Sequence, residues 1–205
     1  RFGALTSDQM SHGTKASLAT LTSATVILWM KPVDIANSTK NIVNKTDGTD
    51  TMGWSIFRPS ADGSILRLSF FNTTTGLLMR IISSSGVLAA GVWTCIAFKW
   101  NSAAPTTQLI YKGTLTPVMA SVTATADSPG GGSAGDDSAT PLLVANRVAA
   151  DVAFPTDVAW VGIWNRTMEL PEIQTQQFRP FASTGCVLFS HYYNATLNPD
   201  WSSGA

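Results

Sequence analysis

An all-β chain of antiparallel strands is what this sequence predicts, and three observations carry the prediction. Apolar residues recur with period two along almost the whole length, as in half-buried strands, and turn signals separate the runs at short intervals. No segment carries a helical period long enough for a βαβ crossover, so successive strands must reverse direction. Charged residues make up only 13% of the 205, so Thr, Ser, Asn and Gly supply the polarity, and these suit strand faces and turns better than helices. One sandwich of this length buries a full core, and residues 1–205 are read as a single domain.

The elements follow in order. TVILWMKP (25–32) is a strand that stops at Pro32. NIVNKT (41–46) and MGWSIFR (52–58) flank Asp47-Gly48, and the second of these is separated from ILRLSFF (65–71) by Asp62-Gly63; Asp-Gly is a tight-turn signal between strands. GLLMRII (76–82), WTCIAFKW (93–100) and TQLIYKGTLTPV (107–118) continue the meander, the last turning at Lys112-Gly113. ATADSPGGGSAGDDSA (124–139) is almost free of large apolar groups and reads as one long loop, either mobile or a ligand-facing lip. PLLVANR (141–147), DVAWVGIWNR (157–166) and VLFSHYY (187–193) resume the strands. Alternation puts Val158, Trp160, Gly162 and Trp164 on one side and Ala159, Val161 and Ile163 on the other, so this strand is apolar on both faces and lies deep. LPEIQTQQF then predicts one short helix near residues 169–178, with Pro171 early and Glu172 near the positive end of the helix dipole.

Charge excludes some functions. Acidic and basic residues balance at 13 each, which leaves no field to steer nucleic acid or an anionic membrane to the surface. No apolar run approaches the roughly 18 residues of a membrane span. A start at Arg1 and a Ser-Gly-Ala end read as a module excised from a longer polypeptide. Cys95 and Cys186 leave three readings open: a disulfide, two partly buried thiols, or unrelated residues. Asn-x-Ser/Thr triplets at Asn37, Asn44, Asn72, Asn165 and Asn194 are glycan acceptors where the host has that machinery, and a Thr- and Asn-rich chain also makes them by chance.

The order of WTCIAFKWNS, QLIYKGTL, LLVANR and VGIWNRTMELPEI resembles the concanavalin A-like lectin and glucanase superfamily, specifically the laminin G-like modules of bacterial and phage surface proteins. There a Trp-Thr-His-Ile-Ala strand leads to a Leu-Tyr-x-Asn-Gly hairpin, an Ile-Gly-Asn-Arg strand and a closing Ile-Tyr-Asn-Arg-Ala-Leu-Ser-x-x-Glu-Ile segment. The resemblance implies a jelly-roll β-sandwich of two antiparallel sheets, one concave and one convex. Two departures stand out. Ala159 and Trp160 occupy the region where many members carry an acid, against a metal site built there, and Cys95 replaces a frequent His.

Some members of that superfamily are glycosidases, which need two carboxyl groups about 5–10 Å apart across the sugar bond. The chain has two glutamates, Glu169 and Glu172, both at the predicted helix, and no strand carries paired acids. His12 and His191 lack a Gly-x-Ser-x-Gly elbow, and two His and two Cys give no zinc spacing. No enzymatic activity is expected. The resemblance admits calcium through loop oxygens, with Asp47 and Asp50 as ligands, or Asp136 and Asp137; Asp47 is equally explained as a turn residue. Among seven tryptophans, Trp54 and Trp160 are the candidates for exposure to a sugar face, with Arg67, Asn146 and Arg147 as polar contacts, whereas Trp29, Trp93 and Trp100 are assigned to the core. The expectation is a non-catalytic, lectin-like module that binds polysaccharide or glycan on a secreted, cell-surface or phage-particle protein. The competing expectation is a structural or decoration module of a virion or surface layer, docking on a neighbouring protein through an exposed apolar face.

Overall fold

The computed structural model describes residues 9–36, 38–49, 51–59, 61–72, 76–104, 108–116, 118–127 and 135–192. Period-two patterning produces two antiparallel sheets. The seven-stranded sheet has the order β1 (Met10–Ser11), β11 (Leu143–Val144), β3 (Lys40–Thr46), β4 (Gly53–Arg58), β5 (Arg67–Asn72), β6 (Gly76–Ser83) and β10 (Ala124–Asp127). The six-stranded sheet runs β13 (Cys186–His191), β12 (Thr156–Trp164), β2 (Ser23–Pro32), β7 (Thr94–Asn101), β8 (Leu109–Gly113) and β9 (Ala120–Ser121). The chain changes sheet repeatedly, as a jelly roll requires, and one helix, α1 (Leu170–Phe178), follows β12 where the sequence predicts it.

Between the sheets lies a core of alternating side chains: Val26, Leu28 and Met30 from β2, Ile96, Phe98 and Trp100 from β7, Trp54 and Ile56 from β4, Leu68 and Phe70 from β5. Trp100 anchors it, with Trp54 at 5.3 Å and Phe70 edge-on at 5.0 Å between ring centroids, and its indole N–H donates to the Leu21 carbonyl at 3.2 Å. Pairs at this spacing add to burial about 0.5–1.5 kcal/mol each.

Three local expectations change. Residues 124–127 of the expected long loop pair with β6 from Ser83 to Arg80, an extension the small side chains did not announce. Lys112 and Gly113 stay in β8, paired with Ile96 and Cys95, and the chain turns further on to reach β9. Gly113 serves close approach instead: a Cβ there would lie 2.5 Å from the Gln177 amide nitrogen of α1. The third change is a bulge in β12. Val158 pairs with Met30 and Trp160 with Trp29, so Ala159 is the extra residue, and Val158 joins the inter-sheet core while Trp160 faces out. The two cysteines are free thiols, Cys95 buried and Cys186 half-buried, and burial raises the pKa of both, Cys186 to about 11.

At the far end of the expected loop, a buried ion pair holds the chain to the sandwich. Lys45 points inward from β3 opposite Trp54, and its Nζ donates to the carbonyls of Asp137 (2.7 Å) and Thr140 (3.0 Å) while lying 3.4 Å from the Asp137 carboxylate. Asp137 Oδ1 also accepts the Thr20 N–H at 2.6 Å. Burial pulls the Lys45 pKa down and pushes that of Asp137 up, each opposed by its partner. Removing one member strands the other charge in the core. Lys45→Met and Asp137→Ala should each lose about 3–5 kcal/mol of unfolding free energy in urea titrations, and the double variant Lys45→Met/Asp137→Leu should lose less than the sum.

Candidate functional site

The outer face of the six-stranded sheet is as apolar as its inner one. Ile27, Trp29, Cys95, Ala97, Tyr111, Trp160, Trp164 and Phe189 form a second buried cluster there with Ile173 and Met168, covered by α1 and the segment that leads into it. Gly162 in the middle of β12 makes room for this layer, because a Cβ would come within 2.5 Å of the Trp164 ring and 3.2 Å of Phe189. The helix is fixed at its start by Arg166, whose guanidinium grips the Glu172 carboxylate with bonds of 2.7 and 3.0 Å, while the Glu169 N–H donates to the same group at 3.0 Å. At its other end the Trp29 indole N–H donates to the Gln177 carbonyl at 2.5 Å.

The cover stops short of the sheet. Beyond the end of α1 a cleft of about 420 Å³ remains, walled by Phe178, Pro180 and Gln177 and floored by Trp29, Trp93 and Trp160. Trp29 and Trp160 are cross-strand partners and only 6% and 5% exposed, so they present edges and faces from below. Phe178, 46% exposed and 6.1 Å from Trp29 between centroids, stands at the mouth with Leu115, which is 74% exposed. Polar groups gather at the rim: Lys31 lies 5.4 Å over the Trp93 ring and pairs with Asp157 at 2.9 Å. A mostly apolar, aromatic concavity with a few polar groups at its edge has the makeup of a small-ligand site.

The structure brings together only one of the residues singled out from sequence. Trp160 is in the cleft; Trp54 is 1% exposed between the sheets, since its strand points it at Trp100 and leaves no face open. Arg67 lies on the opposite outer surface, on the seven-stranded sheet, stacked 5.3 Å over Phe57 with its Nε–H donating to Ser69 Oγ at 2.8 Å. Asn146 is buried and shapes its own loop by accepting the N–H groups of Arg147 and Val152 (2.9 and 3.2 Å), and Arg147 is held by Asp151 at 2.7 and 2.8 Å. Trp29, assigned to the core from sequence, is buried in the second cluster and also reaches the cleft floor, whereas Trp93, assigned to the core as well, is only half-buried there. Two signals pointed that way: β2 is apolar at every position from Val26 to Met30, which demands cover on both faces, and Trp93 stands just before its strand.

Asp47 closes its own turn. Its carboxylate accepts the hydroxyls and N–H groups of Thr49 and Thr51, and although partial burial works against ionisation these four bonds hold its pKa down at about 2. Asp50 lies outside the described residues, and among the described residues no group of three or more His, Cys, Asp or Glu could hold a metal. Asn44 is buried and bonded to Thr46, whereas Asn165 is exposed; Asn37, Asn194 and the Asn72 side chain lie outside the described residues.

A laminin G-type family model of the concanavalin A-like lectin/glucanases superfamily matches residues 4–174. The chain belongs to that superfamily. Solved structures of similar fold include the CBM40 domain of the Ruminococcus gnavus IT-sialidase bound to α2,3-sialyllactose, 11% identical with a TM-score of 0.51, covering 76% of this chain and 82% of that one. The full-length tailspike protein 2 of Escherichia coli O157:H7 bacteriophage CAB120 is 11% identical with a TM-score of 0.56, and the match covers 90% of this chain but 25% of the tailspike. A candidate carbohydrate-binding protein from Bacteroides ovatus is 11% identical with a TM-score of 0.55, covering 89% of this chain and 50% of that one. At such identities the likeness is one of fold. No curated protein matches the sequence.

Within this concanavalin A-like frame, both glutamates stand at the start of α1, each beside a basic side chain. The Arg166 guanidinium and then the Glu169 N–H hold the Glu172 pKa down at about 2, and Glu169 faces solvent 3.6 Å from Lys99. A carboxyl whose folded pKa is depressed stabilises fully above its unfolded value of about 4.3 and loses that contribution as the pH falls toward 2. The Glu172 side chain is 43% exposed, so solvent screens much of the effect. Urea midpoints measured from pH 5 to pH 2 should fall in the wild type, Asp47 contributing in the same window, and fall less steeply in Glu172→Gln.

Proposed function

We propose that the chain is a non-catalytic carbohydrate-recognition module that holds its ligand in the aromatic cleft of the six-stranded sheet. One observation carries the reading: three indoles and a phenyl ring converge on a single open concavity, and sugar rings present apolar C–H faces that stack on such rings while their hydroxyls reach polar groups at the rim. Among the described residues the rim carries one carboxylate, Asp157, held by Lys31, and no acid among the lining residues makes a pair with it, which supports binding without hydrolysis. A sialyllactose-bound domain and a phage tailspike among the structures of similar fold support a glycan ligand and an extracellular or virion setting. No helix among the described residues is long and apolar enough to cross a membrane. Residues 1–205 act as one such module in this reading.

A second reading is favoured by the apolar rim. Leu115, Val118, Phe178 and Phe181 are 46% to 74% exposed, a surface that also suits docking on a neighbouring protein in a virion or surface layer. Affinity electrophoresis in gels containing laminarin, xylan, agarose or mucin, with a glycan array beside it, separates the two. Retardation by at least one glycan is expected. Folded, monomeric protein that binds none sinks the carbohydrate reading, and concentration-dependent self-association in sedimentation would favour the second. Against a retarding polymer, Trp93→Ala and Phe178→Ala should each weaken binding about tenfold in protein that circular dichroism shows still folded at the assay temperature, and Arg67→Ala on the opposite face should leave it unaltered.

A further inference from the structure

Beside the cleft, on the same outer face, lies a second hollow of about 230 Å³ lined by Pro180, Phe181, Ala182, Phe189 and His191. Pro180 belongs to both and forms the saddle between them. The strand register fixes how they are related: Trp29 on β2 stands opposite Trp160 on β12, and Trp160 stands opposite His191 on β13. Residues directly opposite one another share a face, so Trp29, Trp160 and His191 make a row at right angles to the strands. With strands about 4.8 Å apart, the row spans about 10 Å.

We propose that the two hollows form one groove and that the ligand is an extended glycan chain lying across the strands, one sugar over Trp29 and Trp160 and a following unit at His191. This rests on the carbohydrate reading above and goes further, in naming a chain of at least two to three linked sugars as the recognised unit and His191 as the contact of its second position. The imidazole is well placed for that task. Its ring packs edge-on against Phe189 at 4.8 Å between centroids, which fixes its plane, and Phe181, half exposed, offers a further apolar surface. Burial lowers the His191 pKa, so at neutral pH the uncharged ring has one donor and one acceptor nitrogen, the pair a sugar hydroxyl can satisfy in both directions. A row of this length matches the reach of two linked pyranose rings, and neighbouring rings tilt enough to follow a saddle.

The test is an affinity series by isothermal titration, with saccharides of one to six units from the polymer that retards the protein most; for laminarin these are glucose and the laminari-oligosaccharides. Affinity should rise about tenfold between one unit and two to three units and then level off. His191→Ala should abolish that rise and leave the affinity for the monosaccharide unchanged, His191→Gln, which keeps a donor and an acceptor, should restore part of it, and Trp93→Ala should weaken every length alike. A flat length series, or equal losses at all lengths in His191→Ala, overturns the groove while the cleft stands. Failure of every polymer to bind overturns both.

Discussion

The six-stranded sheet is apolar on both faces, and most of the architecture answers that constraint. Val26, Leu28 and Met30 require one partner layer, while Ile27 and Trp29, interleaved with them, require another on the reverse side. The seven-stranded sheet meets the first demand. Only α1 and the chain that enters it are available for the second, and a helix of nine residues, spanning roughly 13 Å at 1.5 Å per residue, is too short to cover a six-stranded surface. The aromatic cleft is the part of that surface the helix leaves open. Its hydrophobic lining is therefore continuous with a buried layer, in which Trp29 and Trp160 are packed from below.

Uncommitted surface distinguishes this cleft from the other places where chemistry was expected. The polar candidates are committed within the fold: Arg166 to Glu172, Arg147 to Asp151, Asp47 to its own turn, Lys45 to Asp137. Each of those pairs fixes a loop or a helix end. What remains at the cleft is shape, aromatic surface and a small polar rim at which Lys31 pairs with Asp157.

Strand patterning, the doubly apolar β12 and the single helix were legible in the sequence because they rest on period and on turn chemistry, which are local. The site was less legible, for a physical reason: alternation says which residues share a face and is silent on whether that face meets a second sheet, a helix or water. Trp54 and Trp160 looked alike on that basis, and one is 1% exposed at the centre of the sandwich while the other floors a cleft. Arg67 and Trp160 were grouped as one site although they stand on opposite outer surfaces, since sheet membership depends on crossovers between residues far apart in the chain. The β10 pairing was missed because backbone pairing needs no bulky side chains.

The bulge at Ala159 has a consequence for how such a surface could be gained or lost. The side chain of Ala159 contributes little, yet its presence puts Val158 and Trp160 out of alternation, the first turned to the sandwich interior and the second to the cleft. The orientation of the indole is thus written in residue count, so a three-nucleotide deletion at this codon would force either Trp160 inward or the preceding residues outward. Relatives that share every aromatic residue but differ in strand length by one would carry different surfaces, and aligning them by identity alone would conceal the change.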